Sequence, residues 1–199
     1  MHPPVRSRPV ALLVPLAVAL ACGGGRTPAA SSTAIPAPTP SATSDIVRIP
    51  DGNTAGILLA SHAADLAAAA IATSRAQHRD VKLLARNIVT DHTAMSLRLT
   101  RLVEDIGLAT RDDDISRLLR DGSAARRDSL RRLSGRQFDS AYVENEVRYH
   151  RDLLVAIDEV FLPSVRNARL KEHLAGIRPT IASHLGLARQ VQAAIARRR

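Results

Sequence analysis

Tryptophan is absent from this sequence, and Phe138, Tyr142, Tyr149 and Phe161 are its only aromatic residues apart from histidine. A β-sandwich builds its core from β-branched and aromatic side chains. This chain is rich instead in Ala and Leu, with 45% hydrophobic residues, which is the composition of an all-α protein. The single cysteine, Cys22, has no partner for an internal disulfide. Lysine is nearly missing, occurring only at Lys82 and Lys171, so arginine carries the formal charge of +9. No aromatic residues interleave with those arginines and no nucleic-acid motif accompanies them. The expectation is a solvated basic surface with no specific nucleic-acid partner. A Ser-His-Asp order, a Gly-rich phosphate loop and a Cys-based catalytic motif are also missing, so nothing here signals an enzyme.

The apolar run nearest the amino terminus is short. Arg6 and Arg8 precede an apolar run, Val10–Ala21, of about 12 residues, too short to span and suited to the core of a signal peptide. Ala19-Leu20-Ala21-Cys22-Gly23 follows and resembles the lipobox of bacterial lipoproteins, with Ala19 where Leu is more usual. The resemblance implies cleavage before Cys22, acylation of that residue as a membrane anchor and, with Gly23 in place of Asp, delivery to the outer membrane facing the periplasm. The alternative is a soluble periplasmic protein cleaved near Ala21. Residues 22–50 are rich in Gly, Pro, Ser, Thr and Ala without an apolar period, and are expected to form a disordered tether. The expected organisation is therefore a signal peptide over 1–21, a lipidated Cys and tether over 22–50, and a helical domain over 51–199.

Helical periodicity dominates that last part. Val81, Leu84, Ile88, Met95, Leu99, Leu102 and Ile106 fall on one face of a helix over Val81–Ile106, and His92 interrupts the same stripe. Asn53–Arg75 reads as a first helix, with Leu58, His62, Asp65, Ala69 and Ala72 sharing a face. Residues 108–133 read as two short amphipathic pieces separated at Gly122-Ser123, a helical crossover between the second and third long helices. Ile115, Leu118 and Leu119 form the apolar edge of the first piece. Ser134 and Gln137 have capping-box spacing ahead of a third helix that carries Tyr142, Glu146 and His150 inward and ends at Pro163. A fourth helix starts after Asn167 and is expected to kink at Pro179.

At about 1.5 Å of rise per residue, the polar members of these stripes sit near the midpoints of their helices. A midpoint keeps its height whichever way a helix runs. His62, Asp65, His92, Glu146, His150 and His184 should therefore form one layer. Two readings fit: a hydrogen-bonded network that fixes helix register, or a transition metal such as zinc or copper held by several histidines. A dinuclear carboxylate site is unsupported, because Glu146 and His150 are four positions apart rather than three.

VKLLARNIVTDH at Val81–His92, Phe138-Asp139-x-x-Tyr142 leading to His150, and Pro179-x-x-x-x-His184-Leu185 resemble a bacterial family catalogued as domain of unknown function 4142. Its members are described as predicted outer-membrane proteins with a ferritin-like fold. The resemblance covers roughly Thr54–Ala196 and implies a ferritin-like four-helix bundle in the cell envelope. The family's first-helix Glu falls near Asp65 or Ala67. The reading that follows is a non-enzymatic binding or envelope-maintenance module. The alternative is a metal-binding or metal-dependent redox protein that uses the mid-height layer. For the anchor, metabolic palmitate labelling is expected to mark the protein, and Cys22→Ser is expected to abolish the label and move the protein to the soluble fraction.

Overall fold

The computed structural model describes residues 48–197, and all secondary structure among these residues is helical. The signal peptide, the lipobox with Cys22 and nearly all of the tether lie outside them. The elements are α1 (Asp51–Arg75), α2 (Arg79–Asp105), α3 (Asp114–Arg132), α4 (Gly135–Val155), a π-helical segment (Ala156–Phe161), a single turn α5 (Leu162–Ser164) and α6 (Ala168–Ala196).

Four long helices, α1, α2, α4 and α6, turn their apolar faces toward one another. The stripe on α2 is buried at Val81, Leu84, Ile88, His92, Met95 and Leu99. Ala68, Ala69 and Ala72 are fully buried on α1, and their small side chains let α2 approach closely. The buried apolar residues separate into two clusters. One joins Ala68–Ala72 to Leu84, Ile88, Tyr142 and Ala188. The other joins Leu58 to Met95, Leu153, Ile157 and Ile181. On every one of the four helices, the polar residues predicted for the mid-height layer lie in sequence between the two.

Short connections are held by side chains reaching backbone amides. The Asp139 carboxylate on α4 accepts from the amides of Gln77 and His78 at 3.0 and 2.8 Å, closing the turn between α1 and α2. Asp51 at the start of α1 accepts from the amides of Arg166 and Asn167 at 3.0 and 2.8 Å, fixing the turn that leads into α6. Gly107 follows α2 with φ of +62°, the left-handed conformation that terminates helices at low cost for glycine. Asn167 caps α6 through the amides of Arg169 and Leu170, as its side-chain type predicts.

Three local expectations are corrected or refined. Residues 114–132 form one helix and not two pieces, since an exposed glycine inside a helix costs only about 1 kcal/mol and Ser123 packs inward against the Ala64 carbonyl. The inner face of α3 is Ser116, Ser123 and Leu130, while Ile115 and Leu118 are 46% and 72% exposed. Ser134 precedes α4 but makes no side-chain capping bond, because Gly135 takes φ of +56° and swings the first turn away from capping-box geometry. Pro179 sits within α6, which continues through it as one helix.

Two glycines of α1 are places where the chain cannot tolerate a Cβ. A Cβ on Gly52 would land on the Ala109 carbonyl oxygen, and one on Gly56 on the Arg111 carbonyl oxygen. Gly122 faces open space. Gly52→Ala and Gly56→Ala are each expected to destabilise by ~1–3 kcal/mol in denaturant unfolding, and Gly122→Ala to stabilise by ~0.5–1 kcal/mol.

Candidate metal centre

The break between the two apolar clusters is filled by ionisable side chains. α1 supplies His62 and Asp65, α2 supplies His92, α4 supplies Glu146 and His150, and α6 supplies His184. The first five are 0% exposed and His184 is 3% exposed. The mid-height argument thus places all six residues in one buried cluster, where the ring centroids of His150 and His184 are 5.1 Å apart, those of His92 and His184 5.4 Å, and those of His92 and His150 5.6 Å.

All four imidazoles share one pattern, with Nε2 the nitrogen left over on His62. Each has one ring nitrogen engaged by a neighbour and the other without a hydrogen-bond partner. His92 Nδ1 meets His62 Nδ1 at 3.1 Å, His150 Nδ1 donates to the Glu146 carbonyl at 2.9 Å, and His184 Nε2 donates to Asp91 Oδ2 at 2.9 Å. The other nitrogens left over are His92 Nε2, His150 Nε2 and His184 Nδ1. One ring nitrogen from each of these histidines lies within 4.8 Å of the other two. Metal-bound histidines are held in this way, with the far N–H fixed by a carboxylate or carbonyl so that the near nitrogen keeps its lone pair free.

Asp65 lies beside two of these histidines. Its Oδ2 lies 3.3 Å from His92 Nε2 and 3.6 Å from His150 Nε2, and neither contact has hydrogen-bond geometry. The two distances are close to the ~3.3–3.4 Å that separates neighbouring ligands held about 2.0–2.1 Å from a tetrahedral ion. Glu146 stands behind, with Oε1 accepting from Asn145 Nδ2 at 3.3 Å. Asp65, Glu146 and His150 form a second close trio, which shares His150 with the first and so is not an independent site.

Burial sets the charge states. It lowers His92 well below the ordinary imidazole value, with the neighbouring imidazoles adding to the effect, and brings His62 to about 4 and His150 to about 3. The rings are therefore neutral, the form that binds metals. Burial likewise pushes the Asp65 carboxyl up to about 7 and Glu146 well above its usual range, Asp65 adding to the latter by repulsion. A cation placed between them would reverse both carboxyl shifts.

Periodicity located the six residues but not their supports. The Asp91 carboxylate that holds His184 is adjacent to His92 in sequence. It points about 100° around α2, toward α6 rather than into the layer. Tyr149 counted as a stripe residue, yet its hydroxyl donates to the Ser61 carbonyl at 2.8 Å and lies 2.6 Å from Ser61 Oγ. The network reading asks each histidine for a neighbour: His150 has the Glu146 carbonyl, His184 has Asp91, His62 and His92 have each other, and Asp65 and Glu146 share a side-chain hydrogen bond, while one ring nitrogen of each histidine is left over. Ala67, the alternative position for a first-helix carboxylate, is half-buried, and Asp65 is the residue inside.

Comparison with known proteins adds one finding. A protein-family model described as Domain of unknown function (DUF4142) matches residues 36–191. No curated protein and no solved structure matches the chain.

The raised carboxyl carries a sign. Asp65 holds its proton more tightly folded than unfolded, so stability contributed by the protonated form is lost as pH rises from about 4 through 7. In chelator-treated protein, Asp65→Asn is therefore expected to gain on the parent by up to ~4 kcal/mol across that interval and to hold the gain above it. Relief of the Asp65 repulsion on Glu146 acts in the same direction, and denaturant unfolding at several pH values measures the difference.

Proposed function

This chain belongs to the DUF4142 family, and we propose that its helical domain is a ferritin-like four-helix bundle that holds one transition-metal ion at mid-height, on an envelope lipoprotein anchored through Cys22. One observation carries the reading: His92, His150 and His184 each keep a partnerless ring nitrogen and bring one ring nitrogen within 4.8 Å of the other two, with Asp65 Oδ2 3.3 Å from His92 Nε2. Three imidazoles and one carboxylate suit zinc, copper or iron rather than calcium or magnesium, which prefer all-oxygen shells. The four ligands come from four different helices, so binding would tie α1, α2, α4 and α6 together. It would also relieve the cost of six buried ionisable groups.

Each residue has a part in this reading. Asp91 and the Glu146 carbonyl fix the tautomers of His184 and His150, and His62 does the same for His92. Tyr149 and Tyr142 close the site against water on the α4 side. The bound ion would supply Lewis acidity or a redox couple according to its identity. This is the metal-binding alternative, and it takes precedence here over a binding or envelope-maintenance module without metal.

Protein purified without chelator is expected to carry about one equivalent of transition metal by elemental analysis. Reloading chelator-treated protein is expected to stabilise it by ~3–4 kcal/mol at metal concentrations 100- to 1,000-fold above Kd. His150→Ala and Asp65→Ala should each weaken that affinity by about 100-fold, and Asp91→Ala by about 10-fold through loss of orientation. Less than about 0.1 equivalent, with unfolding indifferent to added zinc, copper and iron, would dismiss the reading.

A further inference from the structure

A cavity of about 280 Å³ lies between α1, α3 and α4, on the outer side of Tyr149. Its lining is sorted by polarity along the helix axes. α1 contributes Ile57 and, one turn on, Ser61. α3 contributes Ile115 and Leu119 and, two turns on, Arg126. α4 and the π-helical segment run the other way, presenting Asn145, Arg148 and Tyr149 before Leu153, Ala156 and Phe161. The hydrogen bond between Tyr149 and Ser61 fixes the relative register of α1 and α4. With that register, the apolar members of all three helices gather at one end of the cavity and the polar members at the other.

The polar end is cationic. Among the described residues, neither Arg126 nor Arg148 has an ion-pair or hydrogen-bonding partner, whereas the one acidic lining residue, Asp152, is paired with Arg151 at 2.8 Å. The apolar end is shaped by the π-helical segment, whose first and last residues, Ala156 and Phe161, both face the cavity. π-Helical turns are rare and concentrate at functional sites.

We propose that this cavity binds a small amphipathic anion, its short alkyl chain against Ile57, Leu119, Leu153 and Phe161 and its carboxylate or phosphate head at Arg126 and Arg148. The volume lies just below the ~300–1,000 Å³ range of drug-sized pockets, which selects a single short chain over a two-chain phospholipid. The head would lie beside Tyr149, whose ring packs edge-on against His150 at 5.1 Å. The occupant is thereby placed one side chain away from the buried cluster. Binding at the cavity needs no metal, so the assignment stands apart from that of the ion.

The test uses the full mature chain, treated with chelator, in calorimetric titrations with octanoate, octyl phosphate, octanol and octyltrimethylammonium. At least one of the two anions is expected to bind ~10-fold or more tightly than both the neutral and the cationic probe, the worth of one charge-assisted contact. Comparing octanoate with octyl phosphate separates carboxylate from phosphate as the preferred head. Arg126→Gln with Arg148→Gln should erase the preference for anions while leaving octanol binding unchanged. Ile115→Glu, at a partly exposed rim position, should weaken both anions without lowering the unfolding midpoint. Equal affinity for all four probes, absence of binding below micelle formation, or an anion preference that survives loss of both arginines would overturn the assignment.

Discussion

Ionisable side chains removed from water cost several kcal/mol each unless something compensates, and this fold removes six of them at a single level. The two apolar clusters above and below are each coherent, and packing them together buries the layer whether or not its members find partners. Much of the cost is avoided by neutralisation: His62, His92 and His150 lose their protons and the two carboxyls hold theirs more tightly. Neutralisation also creates donors, as in the hydrogen bond between Asp65 and Glu146, and it leaves one ring nitrogen of each of His92, His150 and His184 without a partner.

Much of this was readable in the chain because the long helices obey one rule. On α2 and α6 the apolar period of 3.6 runs through the histidine without a break, so His92 and His184 had to face inward with their neighbours. The midpoint argument then needed only helix lengths, not topology. Asp65 was harder, because α1 is rich in alanine on every side and its period is weak. The carboxylate itself marked the face, since a helix that pairs Asp65 with Leu58, His62 and Ala69 on one side leaves only one consistent register.

Readings failed where a local signal competed with tertiary context. Gly122-Ser123 looks like a break, yet α3 rests on α1 along a face of serines, and the glycine lies on the solvent side. Leu118 and Ile115 were read as core by hydropathy. α3 instead offers α1 its small polar face, leaving the leucine exposed. The capping box at Ser134 has the right residue types, but its geometry depends on a backbone angle that Gly135 does not adopt. Asp112 and Asp114 behaved as simple helix-end charges and pair with Arg120 and Arg117 at the surface. The π-helical segment is invisible to periodicity, because Leu153, Ile157 and Phe161 keep ordinary α-helical spacing through it.

The segment over 156–161 serves two regions. At about 100° per residue, His150, Leu153, Ile157 and Phe161 already share one face of an α-helix. Ile157 and Phe161 enter the lower apolar cluster, while Ala156 and Phe161 line the cavity. The same six residues thus finish the core below the histidine layer and make room outside Tyr149. Tyr149 is common to both regions, with its ring against His150 and its hydroxyl on Ser61 at the cavity wall. A substitution that removed the ring would therefore disturb the buried cluster and the cavity at once, whereas loss of the hydroxyl alone would release only the α1 contact.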